Sequence, residues 1–238
     1  MNILLTNDDG IDSQGLIELA EALRKQRNDR VIIVAPHTNR SAISHAVSIF
    51  HEPIKLKQRG EDLWSCSGTP ADCVFTTAMG ILPVKPDLVI SGINHGPNLG
   101  TDILYSGTAA AARQAALFNM PGIALSLAGQ KPFLWEPCIK FTVDHIDDFF
   151  KHWKKDCFVN VNIPNLPEGP HGITLTMPAH SSYKDTFTIL DAPDGTQYCF
   201  VKASPLRIVP EEVNTDWEAL DHNMCSVSCV YVYPVAAP

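Results

Sequence analysis

A chain of 238 residues that is 45% hydrophobic and 18% charged has the composition of a folded globular protein. It is long enough for one substantial core, alone or with an added arm. A formal net charge of −8 argues against a surface that coats a nucleic-acid polymer. No apolar run approaches the roughly 20 residues of a membrane span, so no membrane association is expected.

The chain opens with Ile3-Leu4-Leu5, apolar on both faces as a buried parallel strand should be, and this run ends in Asn7-Asp8-Asp9-Gly10. Leu16, Leu19, Ala20 and Leu23 then recur at helical spacing as far as the basic run Arg24 to Arg27. Val31 to Ala35 is a second apolar strand, so the first 36 residues read as a right-handed βαβ unit. A polar loop, His37 to Ser44, follows it. Short β-rich pieces between Ala46 and Cys66 (Val47 to Phe50, Ile54 to Lys57, Leu63 to Cys66) predict an antiparallel excursion. Thr69-Pro70-Ala71-Asp72 reads as N-cap, N1 and N3 of a helix reaching about Ile81.

Pro86 to Ser91 is a further parallel strand, and it runs into the Gly- and Asn-rich segment Gly92 to Gly100. Ser106-Gly107-Thr108 opens an Ala-rich helix ending near Phe118, and Gly122 to Leu127 is the next strand. An amphipathic helix over Pro137 to Phe150 precedes a last core strand, Phe158 to Ile163. The pattern predicts a doubly wound, mostly parallel Rossmann-like α/β core over residues 1–165. Residues 166–238 read as a β-rich arm, with strands at Ile173 to Met177, Thr186 to Leu190, Gln197 to Lys202 and Ser226 to Tyr233, and a short helix, Trp217 to Leu220, capped by Thr215-Asp216. Such an arm has too little strand for its own core and is expected to pack on a partner subunit.

Seven scattered cysteines without a C-x-x-C pair read as reduced structural thiols of a cytoplasmic protein. The N-terminus has no basic segment leading into an apolar one, so no secretory signal is expected.

Three polar loops follow three core strands: Asn7-Asp8-Asp9-Gly10, Asn39-Arg40-Ser41 and Ser91-Gly92-Ile93-Asn94. A doubly wound sheet brings such loops to one edge. Adjacent aspartates alone read as caps of a turn and helix. Three converging loops that offer carboxylate, hydroxyl and amide oxygens instead suit a hard divalent cation, Mg²⁺ or Mn²⁺. The helix start at Ser106 offers backbone N–H groups and a positive dipole end to an anion. A cation beside an anion site suggests phosphate-ester hydrolysis, with Asp8 or Asp9 serving as general base. There is no G-x-x-x-x-G-K-[ST] and no G-x-G-x-x-G in the first loop, which sets aside a P-loop NTPase and a dinucleotide-binding enzyme. His45 and His95 read as loop residues, not acid catalysts, and Trp135 and Trp217 as packing residues.

Asn7-Asp8-Asp9-Gly10, Asn39-Arg40-Ser41, Gly68 to Val74, Ser91-Gly92-Ile93-Asn94 with Gly96 and Asn98, Tyr105-Ser106-Gly107-Thr108, Asn160 to Pro164 and Thr215-Asp216 together resemble the SurE family of survival proteins, metal-dependent nucleotidases and phosphatases. The resemblance is collinear over nearly the whole chain. It implies that Asp8, Asp9, Ser41 and Asn94 hold the metal and that Ser106, Gly107 and Thr108 hold phosphate. Asn7, Gly92 and Asn98, in the same motifs, are read with the phosphate- and substrate-binding set. It further implies hydrolysis of nucleoside 5′- or 3′-monophosphates, sometimes short polyphosphate, by a cytoplasmic homodimer or homotetramer with exchanged C-terminal arms. A nucleotide-binding regulatory module without turnover is the alternative. The chain departs from the family pattern in having Ala42 in place of the usual Gly, Arg113-Gln114-Ala115 in place of Met-Glu-Gly, Asn223-Met224 in place of Gly-Tyr, and Ser228-Cys229 in place of Thr-Pro.

Overall fold

A computed structural model describes residues 1–182, 185–202, 207–208 and 213–234. Among the described residues the apolar runs found above become the strands of one sheet. These are β1 (Asn2–Thr6), β2 (Arg30–Pro36), β5 (Leu88–His95), β6 (Gly122–Ala128) and β7 (Cys157–Pro164). The hairpin β3 (Leu56–Gly60) and β4 (Leu63–Cys66) extends it at one edge, and β8 (Ile173–Leu175) and β13 (Cys225–Tyr231) extend it at the other. The order is β3-β4-β2-β1-β5-β6-β7-β13-β8. Strands β4, β2, β1, β5, β6 and β7 run parallel, while β3 runs antiparallel to β4, and β13 runs antiparallel to β7 but parallel to β8.

Strand periodicity divides the core into two layers. Ile3 and Leu5 face α1 (Gln14–Arg27) and α4 (Trp135–Lys151), meeting Leu16, Leu19, Leu23, Val143 and Phe149 in one cluster. Leu4, pointing the other way, meets Val74 of α2 (Pro70–Ala78) and Ala111 and Ala115 of α3 (Gly107–Leu117). Leu16, Leu19 and Leu23 are fully buried, and each contributes about 1.5–3 kcal/mol by leaving water.

The predicted cap of α2 forms as a full capping box. Thr69 accepts from the Asp72 amide, and the Asp72 carboxylate accepts from the Thr69 amide. The helix stops at Ala78, short of the expected Ile81, because Gly80 takes φ +79°, a left-handed terminator. Between residues 46 and 66 the expected antiparallel excursion forms as the β3–β4 hairpin, and β4 joins it to the main sheet by pairing in parallel with β2. Residues 47–50 form no strand, since the Asp72 carboxylate accepts from both the amide and the hydroxyl of Ser48 and draws this stretch into a loop over α2.

Past residue 165 the chain does two different things. Strand β8, helix α5 (Asp216–Asp221) and β13 return to the main sheet, whereas β10 (Thr186–Asp191) and β11 (Gln197–Lys202) pair with each other as an isolated hairpin. Short β9 (Ser181–Ser182) and β12 (Arg207–Ile208) form a second two-stranded antiparallel pair. Residues 183–184, 203–206, 209–212 and 235–238 of the expected arm lie outside the described residues. No helix among the described residues is long and apolar enough to cross a membrane.

Candidate active site

Strand β1 lies between β2 and β5, so the chain leaves it in one direction through α1 and later returns on its other side. This reversal is the switch point of a doubly wound sheet, where adjacent loops part and leave a crevice at the strand carboxyl ends. The three oxygen-rich loops end β1, β2 and β5 there. A cavity of about 230 Å³ is lined by Asp8, Ser41, Asn94, Asn98 and Ser106, together with Ala42, His95, Pro97, Asp102 and Tyr105.

Asp8 is 3% exposed. The Thr108 hydroxyl donates to its Oδ1 at 2.5 Å, and the Asp8 carbonyl accepts from the Arg40 amide at 2.7 Å, which ties the first loop to the second. Burial pushes the Asp8 carboxyl above its usual value; the Thr108 hydroxyl opposes this and the neighbouring Asp9 charge adds to it. No lysine or arginine of the described residues pairs with this carboxylate.

Asp9 is held by His95 through two contacts. The His95 amide donates to Oδ2 at 3.2 Å and ring Nδ1 lies 3.0 Å from Oδ1. The acceptor carboxylate sets the ring proton on Nδ1. Phe133 stacks on the His95 ring at 5.4 Å and Trp135 meets it edge-on at 5.1 Å, so the imidazole is clamped between an anion and two aromatics. Sequence reasoning set His95 aside as a loop residue and Trp135 as packing. The pairing of His95 with Asp9 spans 86 residues, and no local pattern announces it.

Asn94 donates its amide nitrogen to the Gly96 carbonyl at 2.9 Å, which fixes the orientation of the side-chain amide. Asn39 Oδ1 accepts from the Ser41 amide at 2.9 Å, and the Ser41 hydroxyl has no hydrogen-bond partner among the described residues. Asn98 is held within a buried polar network. Its Nδ2 donates to Ser126 and its carbonyl accepts from Asn160 and Asn162.

Helix α3 brings the anion-seeking element to the same place. Ser106 is its N-cap, accepting from the Ala109 amide at 3.0 Å. Gly107 packs so closely on Asp8 that a Cβ there would come within 2.8 Å of the Asp8 Cβ. Thr108 turns its hydroxyl and backbone toward Asp8, so of these three residues only Ser106 lines the cavity. Asn7 and Gly92 lie off the cavity wall. Asn7 braces the first loop through Gly10 and Ser13. Gly92, at φ +136°, passes so close to the Leu125 carbonyl that a Cβ would lie 2.3 Å from it.

A residue from the far end of the chain supports this floor. Asp216, at the start of α5, accepts from the amides of Gly100 and Ala179, so the C-terminal half holds the loop between β5 and α3.

The donors suit a hard divalent cation on chemical grounds: a buried carboxylate with no cationic partner, a second carboxylate, a free hydroxyl and an oriented amide. The fold and this edge define a doubly wound α/β protein with an oxygen-donor site at its switch point. A family profile described as survival protein SurE matches residues 3–185. The chain is 39% identical over 236 residues to the 5′-nucleotidase SurE of Thermoanaerobacter sp. (strain X514), covering 97% of this chain and 92% of that one. It is 40% identical over 222 residues to that of Clostridium beijerinckii, with coverage of 89% and 86%. The crystal structure of the SurE protein from Aquifex aeolicus superposes with a TM-score of 0.85 at 36% identity, covering 99% of this chain and 95% of that one. The chain belongs to the SurE family.

Proposed function

We propose that this chain is a 5′-nucleotidase: it hydrolyses nucleoside 5′-monophosphates, and 3′-monophosphates as well, to nucleoside and phosphate, with Asp8, Asp9, Ser41 and Asn94 holding Mg²⁺ or Mn²⁺. The observation that carries the proposal is that Asp8, Ser41, Asn94 and Ser106 line one cavity at the switch point, beside relatives named 5′-nucleotidase SurE. When bound, the cation supplies Lewis acidity to a phosphoryl oxygen and lowers the pKa of water. The rest falls to the chain's own residues. Ser106 and Gly107 present the N-terminus of α3 to the phosphoryl group and stabilise the charge that develops on its equatorial oxygens. Thr108 and the Arg40 amide hold Asp8 in place, and His95 with its aromatic clamp holds Asp9. Asp8 or Asp9 accepts the proton of the attacking water. Asn98, locked by Ser126, Asn160 and Asn162, keeps its part of the cavity wall rigid.

The test is phosphate release from AMP and from 3′-AMP with Mn²⁺ or Mg²⁺, with EDTA, and for Asp8→Asn. Metal-dependent release that the substitution abolishes is expected. Binding of AMP without release over hours would instead assign a regulatory module.

The proposal includes a cytoplasmic homodimer or homotetramer joined through residues 166–238. Supporting it, the β10–β11 hairpin pairs with no other described strand and exposes Phe187, Phe200 and Val201 by 67%, 56% and 67%, an apolar ribbon that a lone protomer leaves in water. Sedimentation equilibrium of the full chain should give a dimer or tetramer. Phe187→Ser/Phe200→Ser should lower its mass, and a monomeric parent protein would overturn this part.

A further inference from the structure

The loop that carries Ser41 also contributes to a second cavity, of about 480 Å³, whose wall includes Arg40, Lys55, Lys57 and Arg59 as well as His37 and the single carboxylate Glu52. Four cations thus meet one acid in a chain where acidic residues outnumber basic ones 26 to 18. None of the four forms an ion pair among the described residues, whereas Arg30 on β2 is held by Asp62 at 2.9 Å. Arg40 is only partly satisfied: one Nη donates to the Ser67 carbonyl at 3.0 Å, and its buried Nε has no hydrogen-bond partner. A guanidinium in the wall of a basic cavity that uses one of its five N–H donors on the protein has others left for an anion.

Lysines on an edge strand such as β3 commonly serve to repel stray pairing, and that role needs neither convergence nor a cavity. Here alternate positions 55, 57 and 59 send their side chains to one concavity, and an arginine from a different loop meets them. We propose that this cavity is a second, non-catalytic anion site that takes an oligophosphate group of two or three phosphates, free or as the tail of a nucleoside triphosphate. Lysines provide point charges and arginines a forked donor for such a group. The net charge of −8 repels extended polyanions over a distance, whereas a compact multiply charged anion gains most from a local cluster of cations. The Arg40 amide also bonds the Asp8 carbonyl, which places the site one residue from Ser41.

The experiment is isothermal titration calorimetry of the full chain with tripolyphosphate, in EDTA and low salt, so that neither turnover nor metal chelation contributes to the heat. Saturable binding is expected, weakened about tenfold or more in Lys57→Ala/Arg59→Ala and unaffected by excess AMP. The double variant should keep the parent's Tm. ATP binding as tightly as tripolyphosphate, with adenosine silent, shows that the phosphate group alone is read; binding of tripolyphosphate but not ATP identifies a free inorganic ligand. The proposal is overturned if tripolyphosphate does not bind, if the double variant binds it equally well, or if AMP displaces it. The readout is binding without metal, so it stands or fails separately from nucleotidase activity.

Discussion

Gly107→Ala separates the candidate active site from the fold around it. The added Cβ would lie 2.8 Å from the Asp8 Cβ, 2.9 Å from its Oδ2 and 3.2 Å from the Pro70 Cγ. Carbon atoms pack comfortably at about 3.5–4.0 Å, so Asp8 must yield by roughly 0.7 Å or more. It cannot do so freely, because Thr108 grips its carboxylate and Arg40 its carbonyl. Overpacking of this kind costs about 1–3 kcal/mol. Alanine offsets about 1 kcal/mol of that, since it loses less conformational freedom than glycine in a helix. The net loss is therefore about 2 kcal/mol at most, which for a domain of this size lowers Tm by roughly 4–8 °C. A shift of catalytic groups by about 1 Å costs activity on the order of 100-fold. Tm from circular dichroism and kcat/KM for AMP at saturating Mn²⁺ should therefore diverge, with a folded protein of strongly reduced activity. A folded Gly107→Ala protein retaining kcat/KM within about threefold of the parent would refute the reasoning, because it would show that Asp8 need not sit where α3 holds it.

Ala42 has φ +58°, a left-handed conformation that costs an L-residue roughly 1–2 kcal/mol. Ala42→Gly relieves this strain but frees the unfolded chain by up to about 1 kcal/mol, so a net gain of about 0.5–1 kcal/mol in chemical denaturation is expected, and a loss of stability would contradict it. His45 donates from Nε2 to Gln114 Oε1 at 2.8 Å; burial pushes its pKa down, the Gln114 hydrogen bond opposes this and Arg113 adds to it. Because the fold favours neutral His45, its contribution is fully present above the unfolded value of about 6.5 and is lost as pH falls toward the folded one. The stability of the parent should therefore drop relative to His45→Gln on acidification from about pH 8 to about pH 5, and parallel pH profiles in urea denaturation would contradict the assignment. Gln114→Glu places a carboxylate beside the ring and should raise the His45 pKa measured by NMR, whereas an unchanged value would show that the pair does not persist in solution.

The sequence by itself determined what each segment could become and what chemistry its ends could offer. Continuous apolar runs such as Ile3 to Leu5 and Val31 to Ala35 require burial on both faces, and this follows from side-chain alternation without any knowledge of the partners. Caps are equally local: Thr69, Pro70 and Asp72 lie within one helical turn, so the capping box is legible as written. The oxygen-rich loops were legible because each ends a strand in a doubly wound pattern, and that pattern sends them to one edge. Strand order, however, depends on contacts that no local pattern carries. The pairing of β4 beside β2 and the return of β13 against β7 follow from which edges remain open once the parallel strands have assembled. The same holds for the site. Asp9 meets His95, Gly100 meets Asp216 and Asp8 meets Thr108 across 86, 116 and 100 residues, and the second cavity joins Arg40 to lysines on another strand. Residue type decided which groups were able to bind a cation or a phosphate, and only tertiary packing decided which of them face one another, because burial and proximity are properties of the assembled sheet.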